Sequence, residues 1–438
     1  MDQHQPDGDS AALAVRALRE TGYPLVLTEV SLGRLRCDVV AYAPGRRGEM
    51  QAMVAVKIQR AINKKTQVVA LEQLAAVRHQ AGTRQHYVFD GHRWFAADSG
   101  LSALHEVAAP LSNEASGPAS VTDEDLVRSM LLRQLKQGAG ERPEPLRRLR
   151  EVLESLAASG SLEPQGQRVE VPQALRWQAA REVALRVLAS DRSTSWSTHP
   201  VVARAIAEIA SQRGSTYLDP FCGPGTVLWA LADRVADRLL PAELRGLELN
   251  AEVLAIARSI GAFAPAPVEL RLGDAFRALA SPRARDQALD QFANHPAQPA
   301  DGVISQLPLG RRLSESYDLS NGDRTTDGDL ASLDLCLRAL EPGGRAVLQT
   351  PRSWTYKSGQ AQRYRSYLRS EIHIAALIGL PSGGLQGTNI PSLLVVIENA
   401  PPAPTFVAQL DQDWQEQLAP EGHAMHALLE HLEQQEST

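Results

Sequence analysis

Cysteine, lysine and long apolar runs are scarce in this 438-residue sequence. Its three cysteines (Cys37, Cys222 and Cys336) lie far apart and form no Cys-x-x-Cys pair, which excludes a disulfide framework and a cysteine-based metal site. No apolar run approaches the roughly 20 residues that a membrane span needs, and the first ten residues are polar. We therefore expect a cytoplasmic protein with no membrane partner and no metal ligands.

Basic residues do not dominate the sequence either. The 45 basic residues are 40 arginines and five lysines, and the net charge is −6. This excludes the global positive field of many nucleic-acid-binding proteins, so any contact with a nucleic acid requires a local basic patch. With 43% apolar residues, the composition is that of a folded protein of two to four domains.

The order of apolar and polar segments divides the chain into four parts. Residues 1–110 read as one helix followed by several strands with two helix-length segments between them, which predicts a small α+β domain. Residues 111–195 begin with a linker and continue as three amphipathic helices. In residues 196–400, short apolar strands alternate with helices, which predicts an α/β domain on an open, doubly wound parallel sheet. Residues 401–438 are a Pro-rich connector and a polar helix.

A glycine-rich turn, DPFCGPGT at residues 219–226, lies between a predicted strand and a predicted helix. Such a turn brings backbone N–H groups close to a ligand at the carboxyl edge of a parallel sheet. Glu248 ends the next predicted strand, where an acid accepts hydrogen bonds from ribose hydroxyls. Asp274 ends a third strand, in position to accept a hydrogen bond from an exocyclic amine. Together with Asp219, these acids predict a nucleoside-type cofactor site; the alternative is that all three are helix N-caps.

The turn resembles the S-adenosylmethionine turn of class I methyltransferases, and specifically that of the N6-adenine DNA methylases. The Thr-His-Pro sequence at residues 198–200 is similar to the Thr-Pro pair that precedes the turn in that family. Residues 340–354 and 374–398 resemble the modification subunit of type I restriction systems, and the whole resemblance covers about residues 195–400. It implies cofactor contacts from eight residues: Thr198, Asp219, Phe221, Gly223, Gly225, Thr226, Glu248 and Asp274.

This resemblance also has implications for fold and function. It implies a Rossmann-like class I methyltransferase fold and methyl transfer from S-adenosylmethionine to DNA, in a restriction-modification or phage-defence setting. DNA, and a specificity subunit or other restriction or defence subunits, are the implied partners.

The segment aligned with the family's catalytic loop departs from the family pattern. Where the family has Asn-Pro-Pro-aromatic, this chain has Gln306, Leu307, Pro308 and Leu309. In the family, the Asn side chain and the next backbone carbonyl accept the amino protons of the target adenine, and the aromatic ring stacks on the flipped base. The resemblance assigns these catalytic positions to Gln306, Pro308 and Leu309. The longer glutamine moves the acceptor by ~1 Å, which can cost about 10²-fold in rate, and the leucine loses roughly 1–3 kcal/mol of stacking.

Two other functions stay open because of this loop. One is a catalytically inactive pseudo-methylase that senses the cofactor or binds DNA. The other is an RNA or small-molecule methyltransferase, because DPFCGPGT also resembles the turn of RNA guanine N2-methylases; residues 380–398 speak against it. Arg311 and Arg312, directly after the loop, are placed to meet phosphates or the acids of a partner. His199, beside the cofactor turn, is expected to pack or to cap a helix.

The amino-terminal domain resembles the PD-(D/E)XK core of restriction nucleases. Asp38 fits the first acid and Lys57 the lysine, whereas Ala55 stands where the second acid is required. Glu29 is a candidate for an additional acid. The resemblance therefore implies a degenerate nuclease without a good magnesium site; an ordinary mixed sheet with a surface lysine is the alternative.

Overall fold

The computed structural model describes residues 8–32, 35–45, 48–113, 121–136, 144–164, 168–190, 197–279, 299–385 and 388–436. Most of the predicted linker at residues 111–120 lies outside this part of the chain. Contacts between residues divide the chain into two compact units, Met1–Val183 and Ala184–Thr438. None of the described helices is both long and apolar enough to cross a membrane.

The first unit contains a six-stranded sheet whose strands lie in chain order. Its elements are α1 (Gly8–Glu20), β1 (Leu25–Leu32), β2 (Leu35–Pro44), β3 (Met50–Ile58), α2 (Lys64–Ala81), β4 (Gln85–Phe89), β5 (Trp94–Ala97) and β6 (Leu104–Val107). Only β3 and β4, which α2 connects, form a parallel pair. The two helix-length segments predicted before β4 are one helix, which Asn63 caps at its start and Gly82 ends in a left-handed conformation.

Three helices follow in the region where three were predicted. They are α3 (Glu124–Lys136), α4 (Pro145–Ser159) and α5 (Gln173–Ser190), with a two-stranded sheet of β7 (Ser161–Leu162) and β8 (Val169–Glu170) between the last two. In α4, the buried residues Leu149, Val152, Leu153 and Leu156 repeat every three or four positions, which places them on one face. The boundary between the two units falls within α5.

The second unit is built on an eight-stranded sheet in the order β11-β10-β9-β12-β15-β17-β16-β18. The strands are β9 (Thr216–Asp219), β10 (Glu243–Glu248), β11 (Val268–Leu272), β12 (Ala300–Gln306), β15 (Leu340–Pro351), β16 (His373–Leu380), β17 (Ser392–Glu398) and β18 (Phe406–Gln409). The helices are α6 (Pro200–Ala210), α7 (Thr226–Asp237), α8 (Ala251–Gly261), α9 (Ala275–Ala278), α10 (Gly328–Arg338), α11 (Gln360–Glu371), α12 (Trp414–Gln417) and α13 (His423–Glu436). A two-stranded hairpin of β13 (Arg312–Asp318) and β14 (Arg324–Asp327) lies outside the large sheet.

The large sheet is mixed rather than purely parallel as the alternation predicted. The five strands from β11 to β15 run parallel to one another, but β17 is antiparallel to both β15 and β16. The connection from β16 to β17 contains no described helix, and a parallel neighbour requires a long crossover that is usually helical. In the segment predicted as connector and helix, residues 406–409 form the edge strand β18, parallel to β16.

Candidate cofactor and catalytic site

Four parallel strands bring their carboxyl ends to one edge of the large sheet. β9, β10 and β12 end at Asp219, Glu248 and Gln306, and β11 ends two residues before Asp274. A cavity of about 380 Å³ lies at this edge, within the range of small-molecule sites. Seven of the predicted site residues line it: Phe221, Gly223, Glu248, Asp274, Gln306, Pro308 and Leu309.

The other four predicted cofactor residues do not line this cavity. Thr198, Asp219 and Thr226 are buried, and Gly225 forms the amino-terminal cap of α7. His199, next to Thr198, caps α6 as expected, because its Nδ1 accepts a hydrogen bond from the Val201 N–H. Its imidazole ring packs against the Trp414 indole.

The turn requires glycine at position 225. Its φ of 88° is in the left-handed region, and a Cβ there would overlap the Trp229 indole. That indole donates from Nε1 to the Pro224 carbonyl at 2.7 Å, which closes the turn on α7. At Gly223, in contrast, a Cβ would point into open space. A ligand can therefore approach the turn at Gly223 but not at Gly225.

The Glu248 carboxylate connects the turn to the next strand. One oxygen, Oε2, accepts from the Gly223 N–H at 3.0 Å, and the other, Oε1, accepts from the Asn250 N–H at 2.6 Å. Each carboxylate oxygen has a second lone pair, so both can accept a further hydrogen bond. Two adjacent acceptors on a fixed carboxylate suit the two hydroxyl donors of a ribose.

Asp274 caps a helix and also lines the cavity. Its Oδ1 accepts from the Phe276 N–H at 3.0 Å and so caps the short helix α9, which is the structural alternative that the sequence left open. The side chain also lines the cavity. Asp219 and Glu248 are not helix caps, because Gly225 caps α7 and Asn250 caps α8.

One aromatic residue of the cavity, Phe276, was not predicted from the sequence, whereas Phe221 was. Phe276 lines the cavity, with its ring centroid 5.6 Å from that of Phe221 and 6.2 Å from that of Tyr317. The signal was available, because Phe276 follows Asp274 by two residues and the aspartate starts a helix. Tyr317 belongs to the hairpin and could not be placed without the fold.

Two backbone donors hold the catalytic loop, and the family sequence could not supply the first of them. Leu307 is buried, and its N–H donates to the Gln349 carbonyl of β15 at 2.9 Å. A proline at this position has no N–H and could not make the bond. The Gly310 N–H donates to Asp329 Oδ1 at 2.8 Å and holds the other end of the loop.

The Gln306 side chain presents a buried acceptor without a partner. Its Oε1 is buried and accepts no hydrogen bond from the described part of the chain, although the residue lines the cavity. An unpaired buried amide oxygen costs roughly 1–3 kcal/mol. This is the atom that the sequence analysis assigned to accepting an amino proton.

Asp219 connects the cofactor turn to the strand that carries the loop. Its Oδ1 accepts from the Phe221 N–H at 3.1 Å and from the Ser305 hydroxyl at 2.7 Å. Burial raises the pKa of Asp219 to about 7, although these two hydrogen bonds act to lower it. Asp219 is thus a buried carboxyl group that gains a proton near neutral pH.

This raised pKa predicts a pH dependence of stability. The unfolded carboxyl loses its proton near its ordinary pKa, whereas the folded one loses it only near 7. Asp219 therefore destabilises the fold increasingly between about pH 4 and 7, by about 1.4 kcal/mol per pH unit, and no further above pH 7. Asp219→Asn keeps Oδ1 as an acceptor and removes the titration. In thermal unfolding, we expect the melting temperature of the variant minus that of the original chain to rise between about pH 5 and 7 and then level off. A difference that is constant over this range would contradict the assignment.

In the first unit, the candidate nuclease residues form ion pairs. Lys57 Nζ lies 3.0 Å from Asp38 Oδ2, which also accepts from the Ile58 N–H at 2.7 Å. Glu29 pairs with Arg36 at 2.9 Å, and Ala55 is buried in β3. The described residues of the chain contain no group of three or more His, Cys, Asp or Glu side chains that could hold a metal ion. Nuclease ancestry stays a prediction.

Comparison with protein families decides the identity of the second unit. The model of the family described as N-6 DNA Methylase matches residues 182–417, which is more than half of the chain. The chain belongs to this family. Its cofactor is S-adenosylmethionine, and its α/β fold is that of the class I methyltransferases. No curated protein matches the chain.

Three solved structures are similar to this chain, and the first of them, with a TM-score above 0.5, shares its fold. A putative class I S-adenosylmethionine-dependent methyltransferase from Listeria monocytogenes has 17% sequence identity and a TM-score of 0.51, with 70% of this chain and 97% of that chain covered. The modification subunit of a putative type I restriction enzyme from Vibrio vulnificus has 16% identity and a TM-score of 0.47, with 59% and 58% covered. A type I restriction-modification methyltransferase subunit from Streptococcus thermophilus has 19% identity and a TM-score of 0.42, with 51% and 49% covered.

The residues of the cavity fit S-adenosylmethionine. Glu248 offers two acceptors to ribose hydroxyls, and the Phe221 and Phe276 rings offer an apolar wall to a base. The Thr226 hydroxyl, at the start of α7, is buried and without a hydrogen-bond partner in the described part of the chain, as is Gln306 Oε1. Thr226 does not line the cavity, whereas Gln306 does, and an orphaned polar atom at a cavity is expected where a ligand completes its hydrogen bonds.

Proposed function

We propose that this chain transfers the methyl group of S-adenosylmethionine to the exocyclic amino group of adenine in DNA. The single observation that carries this proposal is the unpartnered Gln306 Oε1 at the cofactor cavity. An amine whose lone pair is delocalised into a ring is a poor nucleophile, and an acceptor for its protons localises that lone pair. Membership of the N-6 DNA methylase family supports the substrate and the atom.

The residues divide the work as follows. Glu248 accepts from the ribose hydroxyls of the cofactor and Asp274 from its exocyclic amine, while Asp219 and the two turn glycines hold the backbone in shape. The cofactor, when bound, supplies an electrophilic methyl group. Gln306 Oε1 and the Leu307 carbonyl accept the two amino protons of the target base, and Leu309 packs against its face. No general base is needed, because the methylated ammonium is acidic enough to lose its proton to water.

The biological setting is part of the proposal. Residues 340–354 and 374–398 resemble the modification subunit of type I restriction systems. These residues include β15, β17 and most of β16, which lie side by side in the sheet. We place the chain in a restriction-modification or phage-defence system, in which a separate specificity subunit or other subunits supply the recognition of a DNA sequence.

Methylation-sensitive sequencing of host DNA tests this proposal. Three strains are compared: the original strain, a strain without the gene, and the deletion strain complemented with Gln306→Ala. We expect N6-methyladenine to disappear at one sequence motif in the deletion strain and to stay absent with the variant. The host supplies any missing subunit and the unknown target sequence. An unchanged methylome in the deletion strain would overturn the proposal.

A second candidate function is a pseudo-methylase that binds the cofactor without transferring its methyl group. The observation that favours it is Leu309, which lines the cavity where the family has an aromatic ring for the flipped base. Calorimetry separates the two candidates: tight S-adenosylmethionine binding together with an unchanged methylome is the result expected of the pseudo-methylase. Absence of binding contradicts both.

A further inference from the structure

A polar groove opens beside the catalytic loop, and of its lining residues only Arg311 also lines the cofactor cavity. It has a volume of about 450 Å³ and lies between the loop, the β13–β14 hairpin and the start of α11. Arg311 lines both this groove and the cofactor cavity, so the two adjoin. The groove is lined by Gly310, Arg311, Arg312, Ser316, Arg324, Thr325, Thr326, Asp327, Asp329, Lys357 and Gln360.

The charge of this groove is opposite to that of the chain. Four cationic side chains line it against two acids, although the net charge of the chain is −6. Both acids are engaged in the fold: Asp327 caps α10, and Asp329 holds the Gly310 N–H. Lys357 Nζ lies 3.3 Å from an Asp327 oxygen and 3.6 Å from an Asp329 oxygen. The acids therefore belong to the scaffold of the groove.

Arg311 and Arg312 are the groove's uncommitted cations. Both are exposed, and neither guanidinium forms an ion pair with a carboxylate in the part of the chain that the structure describes. Exposed arginines that adjoin neutral hydroxyls, here Ser316, Thr325 and Thr326, are the usual ligands of nucleic-acid phosphates. Tyr356 precedes the groove residue Lys357 in the chain; it does not line the groove itself and is 71% exposed. Exposed aromatic rings beside cations are typical of surfaces that bind unpaired bases.

The groove has a rigid wall. The buried Asp334 carboxylate accepts hydrogen bonds from the hydroxyls of Tyr317 and Tyr364 at 3.2 and 2.8 Å and from the Ser320 N–H at 2.8 Å. These contacts fix the hairpin to α10 and α11. Because the hairpin is fixed, a phosphate that binds beside it orders arginine side chains but not the backbone that carries them.

We propose that this groove binds the backbone of the DNA strand that carries the target adenine, with Arg311 and Arg312 as phosphate ligands and Tyr356 as a stacking surface for a neighbouring unpaired base. This inference rests on the proposed function for the choice of DNA. It specifies where the DNA strand runs past the catalytic loop. It also means that the groove contacts the DNA backbone whether or not the target sequence is recognised. Because phosphate contacts do not depend on sequence, the unknown target motif is not needed to test it.

The test measures binding of the full chain to labelled DNA by fluorescence anisotropy. The probes are a single strand of about 20 nucleotides, its duplex and the RNA of the same sequence, over salt concentrations from about 50 to 200 mM. For the single strand, we expect Arg311→Gln/Arg312→Gln to reduce the slope of log affinity against log salt by about 1.4 and to weaken binding about tenfold, because each phosphate contact contributes about 0.7 to that slope.

The controls separate this effect from general loss of charge. Arg204→Gln/Arg369→Gln removes the same charge from two exposed arginines outside the groove and should leave the slope unchanged. Tyr356→Ala should weaken single-strand binding about 5- to 100-fold at an unchanged slope, and Tyr356→Phe should retain the affinity. The two Tyr356 variants and the control pair, whose residues do not line the cofactor cavity, should bind S-adenosylmethionine as the original chain does.

The groove proposal is overturned if the original chain does not bind DNA at about 50 mM salt, or if it binds RNA more tightly than DNA. It is also overturned if Arg311→Gln/Arg312→Gln leaves the salt slope of the original chain unchanged, or if the control pair reduces that slope equally. An unchanged affinity of Tyr356→Ala for the single strand would likewise contradict it. Failure of the proposed function is detected by different measurements, namely cofactor calorimetry and sequencing of the host methylome. A chain that passes the groove test with an unchanged methylome binds DNA without methylating it.

Discussion

We expect the Glu248→Ala variant to bind S-adenosylmethionine about 100-fold more weakly than the original chain, or not measurably. In the proposed function, Glu248 supplies the two acceptors for the ribose hydroxyls, and hydrogen bonds to a carboxylate are among the strong ones. It also holds the Gly223 N–H at 3.0 Å, so the turn loses its connection to β10 at the same time. Isothermal titration calorimetry measures the change directly.

The control for this variant is Glu252→Ala. Glu252 lies four residues further on, exposed in the first turn of α8, and does not line the cavity. It should bind the cofactor with the original affinity. Glu248→Gln should be nearly as weak as Glu248→Ala, because both carboxylate oxygens accept from N–H groups and an amide would turn a donor toward one of them. Original affinity in Glu248→Gln would show that the carboxylate does not receive the ribose.

The second large effect is expected at Gln306, where activity and stability should move in opposite directions. Gln306→Met has nearly the same length but no acceptor, so it should reduce kcat for methyl transfer by about 10² to 10³ with the cofactor affinity unchanged. The same change removes a buried amide oxygen that has no partner in the described part of the chain, and should stabilise the fold by about 1 kcal/mol. Thermal unfolding and single-turnover methylation measure the two effects.

A stabilised but inactive Gln306→Met variant distinguishes a functional acceptor from a structural one. A glutamine with a packing role would lose stability when replaced, and activity would fall only as the folded fraction falls. Gln306→Asn is the matched variant, because it keeps the amide and shortens the reach. It should retain more activity than Gln306→Met. An equal loss of activity in Gln306→Asn and Gln306→Met would show that catalysis requires the amide oxygen at the exact position that glutamine gives it.

Leu307 determines how the family sequence can be restored in this loop. Leu307→Pro would remove the hydrogen bond to the Gln349 carbonyl and a buried side chain, so we expect a loss of about 2–5 kcal/mol of stability. Leu309→Phe with Leu307 unchanged should instead lower the KM for DNA about 5- to 100-fold, through stacking on the flipped base. Denaturant unfolding and steady-state methylation check the two expectations. An unchanged KM would mean that the base does not rest against residue 309.

The cofactor half of the site could be predicted because its information is local. A strand, a glycine turn and a helix follow one another at residues 216–237, and parallel strands necessarily end at one edge. Glu248 and Asp274 could be assigned to that edge without any knowledge of long-range contacts. The capping role of Asp274 was also predictable, because an aspartate before a helix is a natural cap.

The features that sequence analysis missed depend on distant residues. The bond of Leu307 to Gln349 joins strands that are 42 residues apart in sequence, and it only forms because β15 lies beside β12. The β13–β14 hairpin is polar and mostly exposed, so no apolar alternation marks it. Its buried anchor, Tyr317, is recognisable only once Asp334 is known to lie beneath it. The edge strand β18 has too few buried residues to give a pattern.

The position of β17 affects the order in which this unit can assemble during synthesis. β17 lies between β15 and β16 in the sheet but follows both of them in the chain. Residues 216–306 contain the four strands of the cofactor edge and can pair as soon as they have left the ribosome, whereas β16 has no neighbour on its inner side until residue 398 has emerged. A nascent chain stalled between these points would expose the open side of β15 and an unpaired β16. Such strand edges are where chaperones bind and where aggregation begins.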